Sequence, residues 1–132
     1  MTVTMTNTKS GSARLADLLT EMNTTGQFLL SLLADKHGFL IAAATAPGET
    51  AEYQSAVVAL VQKTAIQVHQ QLGLAPTDEI TLNDAKGQRL ICRPFSANGY
   101  EMILAVLVPG REQSYRRLTN KAIGEIKQVW KL

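Results

Sequence analysis

The sequence predicts an α+β domain in which one five-stranded antiparallel sheet carries helices on both faces. Segments with the hydrophobic periodicity of helices and runs of strand length follow one another in the order α-β-β-α-β-β-β-α. Tight turns join the strands within each group, so neighbouring strands should pair antiparallel. The strands within 27–34 and 100–108 are apolar on both sides, which requires helices on both faces of the sheet.

Chain length and composition predict a single domain. The chain has 132 residues, of which 45% are hydrophobic, enough for one core. We expect the threonine-rich residues 1–11 to form a disordered leader before a domain at 12–132. No apolar run approaches the roughly 18 residues of a membrane-spanning helix, and residues 1–11 lack the features of a secretory signal. A cytoplasmic location is therefore expected.

The chain starts with a predicted helix and a hairpin. Ser10 or Ser12 can cap the helix, which carries one apolar stripe and should end near Asn23. The run 27–34 and the run 39–45 have strand length. The turn-forming residues at 35–38 between them indicate a hairpin.

A helix over 50–73 is the element around which the domain is organised. Thr50 is its predicted N-cap, and Gly73 stands where a left-handed terminating residue is needed. We expect one apolar face to pack on the sheet; this face comprises Tyr53, Val57, Leu60, Val61, Thr64, Ala65, Val68 and Leu72. The opposite face is small and apolar, with few polar groups, and comprises Ala51, Ser55, Val58, Ala59, Gln62, Ile66 and His69. A solvated face is usually more charged, so this second face should meet another helix, of this chain or of a second copy.

The second half of the chain predicts three strands and a basic helix. Residues 79–83 alternate as a half-exposed edge strand does, 88–95 form the next strand, and Asn98-Gly99 predicts a tight hairpin before 100–108. From position 111 onward six basic residues stand against two acidic ones, although the whole chain has a net charge of only +2. The late lysines suit the negative end of a helix dipole, so a solvated amphipathic helix is favoured over a surface for an anionic partner.

No residue pattern predicts catalysis, a cofactor or a metal site. His37 stands beside Asp35 in a turn, and His69 has no acidic neighbour in the sequence. Cys92 lies in a strand, where a buried small hydrophobe is the better interpretation, and a single cysteine allows no internal disulfide. Nucleic-acid binding is not expected, because the aromatic residues of the last helix lie on its apolar side.

The order of elements resembles the Roadblock family, the domain of the dynein light chain roadblock type, within the longin-like and profilin-like folds. The likeness covers about Leu15 to Trp130. It is carried by the hairpin LLADKHGFLIAAA, the small-residue helix TAEYQSAVVALVQKTAIQVHQQLG, the strand EITL with its following Lys-Gly turn, and RPF followed by NGYEMILAVLV. The resemblance implies a non-enzymatic homodimer or heterodimer, paired through the central helix and the strand after it. It also implies a small Ras-like GTPase as a partner of bacterial members, and scaffolding roles for eukaryotic members.

These observations predict a non-enzymatic dimeric regulator or scaffold that binds a small Ras-like GTPase or another signalling protein and biases its nucleotide state. The predicted homodimer interface comprises Ala51, Ser55, Val58, Ala59, Gln62, Ile66, His69, Glu79 and Thr81. The candidate partner surface comprises Arg111, Arg116 and Arg117. The alternative is a small-molecule-sensing domain of profilin-like fold, with a ligand held between the layers.

Overall fold

The computed structural model describes residues 10–46 and 51–130. In these residues three helices, α1 (Gly11–Gly26), α2 (Glu52–Leu72) and α3 (Arg116–Val129), accompany five strands: β1 (Leu30–Asp35), β2 (Leu40–Ala44), β3 (Ile80–Asn83), β4 (Arg89–Ala97) and β5 (Tyr100–Val108). The strands form one sheet in the order β2-β1-β5-β4-β3, with every neighbouring pair antiparallel. The predicted fold class and element order are confirmed.

Two hydrophobic cores lie on the two faces of the sheet. On one face, Leu33, Leu104 and Ile91 pack with buried residues of α1 and α3. On the other, Leu32 and Ile103 pack with residues at the start and in the first half of α2. Because β1 and β5 lie in the middle of the sheet, side chains from both of their faces are buried, as their unbroken apolar sequences predict.

Helix α1 is longer than its sequence pattern predicts. Ser10 is its N-cap and accepts a hydrogen bond from the backbone N–H of Ala13, so the helix begins inside the stretch predicted as a leader. Residues 1–9 lie outside the described residues. The helix continues past Asn23 to Gly26, and Gln27 in the left-handed conformation ends it. A Cβ on Gly26 would lie 2.4 Å from the ring of Phe28, so this glycine allows close packing and does not form the turn.

The predicted turns are confirmed. Gln27 apart, Asn98 is the only described residue other than glycine with positive φ, and Gly99 follows it with φ of 80°, the pattern of a two-residue hairpin turn. In the turn between β1 and β2, Asp35 Oδ1 accepts hydrogen bonds from the backbone N–H groups of His37 and Phe39. Gly73 ends α2 with φ of 71°, as expected from its position.

The first half of α2 meets the sheet mainly through the face opposite to the one predicted, although Val61 of the predicted face also packs there. Ala51, Ser55 and Val58 pack against the sheet, and Val58 is 1% exposed, whereas Tyr53 is 84% exposed. The small residues allow α2 to approach the β1–β2 turn: Ser55 Oγ donates a 2.8 Å hydrogen bond to the carbonyl of Gly38. The first described residue of this segment, Ala51, stands at the N-cap, and Thr50 lies outside the described residues.

Candidate functional site

A row of large apolar side chains follows the outer side of α2 and faces solvent. Tyr53, Leu60 (64% exposed) and Leu72 (70% exposed) lie along its length, with Val57 and Val68 between them. A continuous row of large, exposed apolar residues usually marks a surface that binds a partner. We name this row and the sheet surface beside it the α2 groove.

The α2 groove contains two depressions. The first, of about 280 Å³, lies beside the first half of the helix and is lined by Tyr53, Val57, Leu90 and Leu107 among others. The second, of about 570 Å³, lies between the second half of the helix and β3 and is lined by Leu60, Val68, Ile80 and Leu82 among others. Both linings are mostly apolar, so the groove is suited to an apolar side chain or helix and offers few polar groups to orient a small ligand.

Strand β3 forms the sheet edge next to this groove. It pairs with β4 at four positions, from Ile80 opposite Cys92 to Asn83 opposite Arg89, and within residues 10–46 and 51–130 no strand pairs with its other side, which is an open edge. Ile80 and Leu82 face the α2 groove, whereas the side chains of Glu79 and Thr81 face α3. An unpaired edge adjoining an apolar groove offers backbone hydrogen bonds and apolar surface to one partner at the same time. The prediction that this strand is an edge is confirmed.

The structure divides the residues that the sequence predicts for a dimer interface. Ala51, Ser55 and Val58 are buried within their own chain and are unavailable to a partner, so the prediction was wrong for them. Two remain accessible on the other flank of α2: Ile66 is exposed, and Ala59 is half-buried beside the β1–β2 turn. Periodicity identified two apolar faces on this helix, but it did not indicate which of them meets the sheet.

The remaining predicted interface residues, Gln62, His69, Glu79 and Thr81, are each partly buried. His69 contacts the carbonyl of Leu74 through Nδ1 and lines the second depression of the α2 groove. Gln62 and His69 also line a separate cavity of about 280 Å³ between α2 and the ends of β4 and β5. Gln62 Oε1 is buried without a hydrogen-bond partner among the described residues.

The three arginines predicted for a partner surface have different surroundings. Arg116 Nη2 lies 2.8 Å from Asp78 Oδ2, and its Nη1 lies 2.8 Å from Glu79 Oε1. Arg117, the next residue of α3, is exposed. Arg111 is exposed in the connection before α3 and lies close to the turn at Gly87. Of these three arginines, Arg116 is the one that two carboxylates hold within the described residues.

A buried arginine that sequence analysis did not single out lies beneath this ion pair. Arg93 on β4 is 6% exposed, and its Nη1 donates a 2.8 Å hydrogen bond to Thr119 Oγ1 of α3. Its guanidinium lies 3.9 Å from Asp78 Oδ1 and 4.0 Å from Glu79 Oε1. The alternation of β4 placed Arg93 on the same side as Ile91, and an arginine beside a core position was the signal that could have found it.

The charges of this cluster shift the pKa values of its members. Burial by itself would raise the pKa of Glu79, but hydrogen bonds from Tyr115, Thr81 and Arg116, together with the positive charge of Arg116, hold it below its ordinary value. The hydrogen bond to Glu79, with burial, raises the pKa of Tyr115. Glu79 is therefore ionised at neutral pH, and the hydroxyl of Tyr115 is one of its three hydrogen-bond donors.

The groups considered for catalysis have structural surroundings. Cys92 is buried, and burial raises its pKa to about 11, so its thiol is unreactive at neutral pH. The carboxylate of Asp35 bonds backbone N–H groups of its own turn and does not orient the imidazole of His37. Among residues 10–46 and 51–130, no group of His, Cys, Asp and Glu side chains could hold a metal ion, and no helix is long and apolar enough to cross a membrane.

Solved structures match the fold of this chain. MglB from Myxococcus xanthus has a TM-score of 0.76 at 15% identity, over 93% of this chain and 92% of that one. The gliding protein MglB from Thermus thermophilus has a TM-score of 0.74 at 16% identity over 92% of each chain. A Roadblock/LC7 domain from Streptomyces avermitilis has a TM-score of 0.70 at 16% identity, over 86% of this chain and 92% of that one. An MglB with a tetrameric arrangement also matches, with a TM-score of 0.74.

The chain therefore has the Roadblock/LC7 fold, and the resemblance drawn from the sequence is confirmed at the level of fold. No protein-family model and no curated sequence matches the chain.

Proposed function

We propose that this chain is a Roadblock-family regulatory or scaffold protein that forms a homodimer and, as a dimer, binds a small Ras-like GTPase or another signalling protein. The α2 groove beside an open β3 edge is the observation that carries this proposal. The family resemblance suggests the GTPase, and the MglB with a tetrameric arrangement supports self-assembly on this fold.

A two-fold axis beside α2 and β3 would bury the exposed apolar row of α2 and pair the β3 edge in a single interface. The α2 helix of a second copy would cover Leu60, Val68 and Leu72, and the open edge of β3 would pair with the same edge of the second copy. Association of this kind is driven by removal of apolar surface from water. The interface now proposed is the exposed row of α2, and not the opposite face predicted from the sequence.

Regulation would follow from a rigid two-fold surface that stabilises one conformation of the switch loops of the partner. Arg111 and Arg117 are exposed, and either could supply an arginine to the nucleotide of a bound GTPase. Arg116 is less suited to this role because Asp78 and Glu79 hold its guanidinium. In this proposal the nucleotide and the hydrolytic site belong to the partner, and the chain contributes at most one arginine to them.

The test of the homodimer is the solution mass measured by light scattering across a range of protein concentrations. The wild type should be a dimer, and the double variant Leu60→Glu with Val68→Glu should be a folded monomer, because association would bury two unpaired carboxylates. The control variant, Lys63→Glu with Gln70→Glu, adds two carboxylates to the polar flank of α2 and should remain a dimer. A wild type that stays monomeric at every concentration would refute the homodimer.

The GTPase proposal is tested separately with a small Ras-like GTPase from the same source. Its rates of GTP hydrolysis and nucleotide release are measured with and without the dimer, and then with Arg111→Gln and Arg117→Gln variants. The proposal predicts a change in one rate that an arginine variant reduces. Unchanged rates and no co-purification would leave only the scaffold role.

One observation favours the small-molecule alternative. Gln62 lines the cavity between α2 and the ends of β4 and β5, and its Oε1 is buried without a hydrogen-bond partner among the described residues, so a bound molecule with an N–H or O–H donor could satisfy this side chain. A ligand that binds only the folded chain raises the melting temperature. A metabolite panel should therefore shift the melting temperature of the wild type and not that of Gln62→Leu. No shift with any metabolite counts against sensing.

A further inference from the structure

Two carboxylates at the start of β3 are held mainly by side chains from the start of α3. Arg116 of α3 contacts Asp78 and Glu79 at 2.8 Å each, one nitrogen to each carboxylate. The second oxygen of Glu79 accepts hydrogen bonds from Thr81 Oγ1, at 2.9 Å, and from the hydroxyl of Tyr115. Each oxygen of Glu79 thus has a donor, and two of these donors belong to the region where α3 begins.

Arg93 extends this contact into the core. It is buried on β4, donates to Thr119 of α3, and lies about 4 Å from both carboxylates. Two arginines therefore face two carboxylates, so the cluster is close to electrically neutral. Since β4 and α3 both contribute buried residues to the hydrophobic core, the residues that precede β3 are attached to elements that are themselves held by the core.

Without this attachment, β3 has few constraints. It is four residues long, has β4 as its single pairing strand in the described part of the chain, and follows a connection in which Leu74 is exposed. Edge strands with one partner open more readily than strands inside a sheet, and fixing each residue of a loose strand costs conformational entropy. A contact that holds the start of β3 would remove part of that cost before a partner arrives.

We propose that Arg116 is a positioning residue for self-association, and that its contacts with Asp78 and Glu79 hold the β3 edge in the conformation that a second copy of this chain pairs with. This inference rests on the proposed homodimer. The dimer forms only when the β3 edge is ordered in both copies, so a decrease in the fraction of chains with an ordered edge raises Kd by the square of that decrease. Loss of a partly exposed ion pair would lower this fraction about threefold, which raises Kd about ninefold.

The first experiment measures dimer Kd by sedimentation for the wild type, Arg116→Gln, Arg116→Lys and the neighbouring control Arg117→Gln. We expect Arg116→Gln to weaken the dimer about tenfold, Arg116→Lys to recover part of the loss, and Arg117→Gln to have no effect. Raising the salt concentration should weaken the wild type more than Arg116→Gln, because screening acts on the ion pair that the variant lacks. If Arg116 had a purely structural role, the dimer Kd of the wild type and of Arg116→Gln would depend on salt concentration to the same extent.

The second experiment tests the ordering of β3 apart from dimerisation. Amide hydrogen exchange is measured in the Leu60→Glu, Val68→Glu chain, with and without Arg116→Gln. Faster exchange of the β3 amides, with unchanged exchange in β1 and β5, supports the inference. Equal exchange in β3 overturns it, and so does an Arg116→Gln dimer with the affinity of the wild type. Failure of the homodimer is recognised separately, from the mass of the wild type alone.

Discussion

Replacement of Val58 by alanine tests the orientation of α2. Val58 is 1% exposed against the sheet, and Val57, the next residue of the helix towards the N-terminus, is 51% exposed on the outer side. The change Val→Ala removes two methylene equivalents, or about 1.6 kcal/mol of transfer free energy at a fully buried site, to which an unfilled cavity adds. The higher helix propensity of alanine returns about 0.5 kcal/mol.

The expected loss of unfolding free energy is therefore about 1.5 kcal/mol for Val58→Ala. The matched control Val57→Ala loses about half of the transfer term and leaves no cavity, so its expected loss within one chain is about 0.3 kcal/mol. A charge at position 58 would have to be buried, so Val58→Glu should unfold the chain and cannot serve as a test of dimerisation.

The assay is urea unfolding at two protein concentrations about a hundredfold apart. Truncating a side chain that has contacts only within its own chain lowers the unfolding free energy by the same amount at both concentrations. Truncating a side chain at a dimer contact weakens association, so its effect depends on the protein concentration. Val58→Ala should shift the midpoint similarly at both concentrations with an unchanged slope. The reasoning is refuted if Val57→Ala is as destabilising as Val58→Ala at the lower concentration, because the outer face of α2 would then be the one that meets the sheet.

Three further predictions follow from local geometry. Gly38→Ala should cost about 1 kcal/mol more unfolding free energy than Gly99→Ala in thermal denaturation; both positions have positive φ, but only at Gly38 would the new Cβ lie 3.0 Å from another carbon, the Cβ of Ala59. The thiol of Cys92 should react with iodoacetamide only on unfolding, because it is buried with a pKa of about 11, and rapid labelling of the native chain would contradict this. The pKa of Glu79 is lowered on folding, so its contribution to stability is present above its ordinary value of 4.5 and is lost as the pH falls through the lowered value. The difference in melting temperature between the wild type and Glu79→Gln should be constant from about pH 5 to 8 and should shrink below that range; a difference that grows on acidification would contradict the assignment.

Turn chemistry explains why the element order could be predicted from the sequence. Asn98 and Gly99 adopt the positive φ angles that a two-residue hairpin needs, and Gly73 adopts the left-handed conformation that ends a helix. These preferences depend on a few neighbouring residues. The predicted end of α1, near Asn23, was wrong. Gly26 serves close contact with Phe28 and does not form a turn, and the helix ends one residue later, at Gln27.

The candidate site was only partly predictable. The sequence indicated that the helix over 50–73 has two apolar faces and that the strand after it is an edge, and both features define the α2 groove. It did not indicate that Arg116 contacts Asp78, a residue 38 positions earlier in the chain. Such a contact depends on how α3 crosses the sheet, which no local pattern encodes.

The sequence by itself determined the order of helices and strands, the hairpin turns, and the alternation that assigns each strand residue to one face or the other. These properties arise from backbone preferences and from periods of 2 and 3.6 residues, which are local. Only the tertiary structure decided which face of α2 meets the sheet. Ala51 and Ser55 pack closely there and leave Tyr53, Leu60 and Leu72 exposed, because the close approach of a helix to a turn requires small side chains.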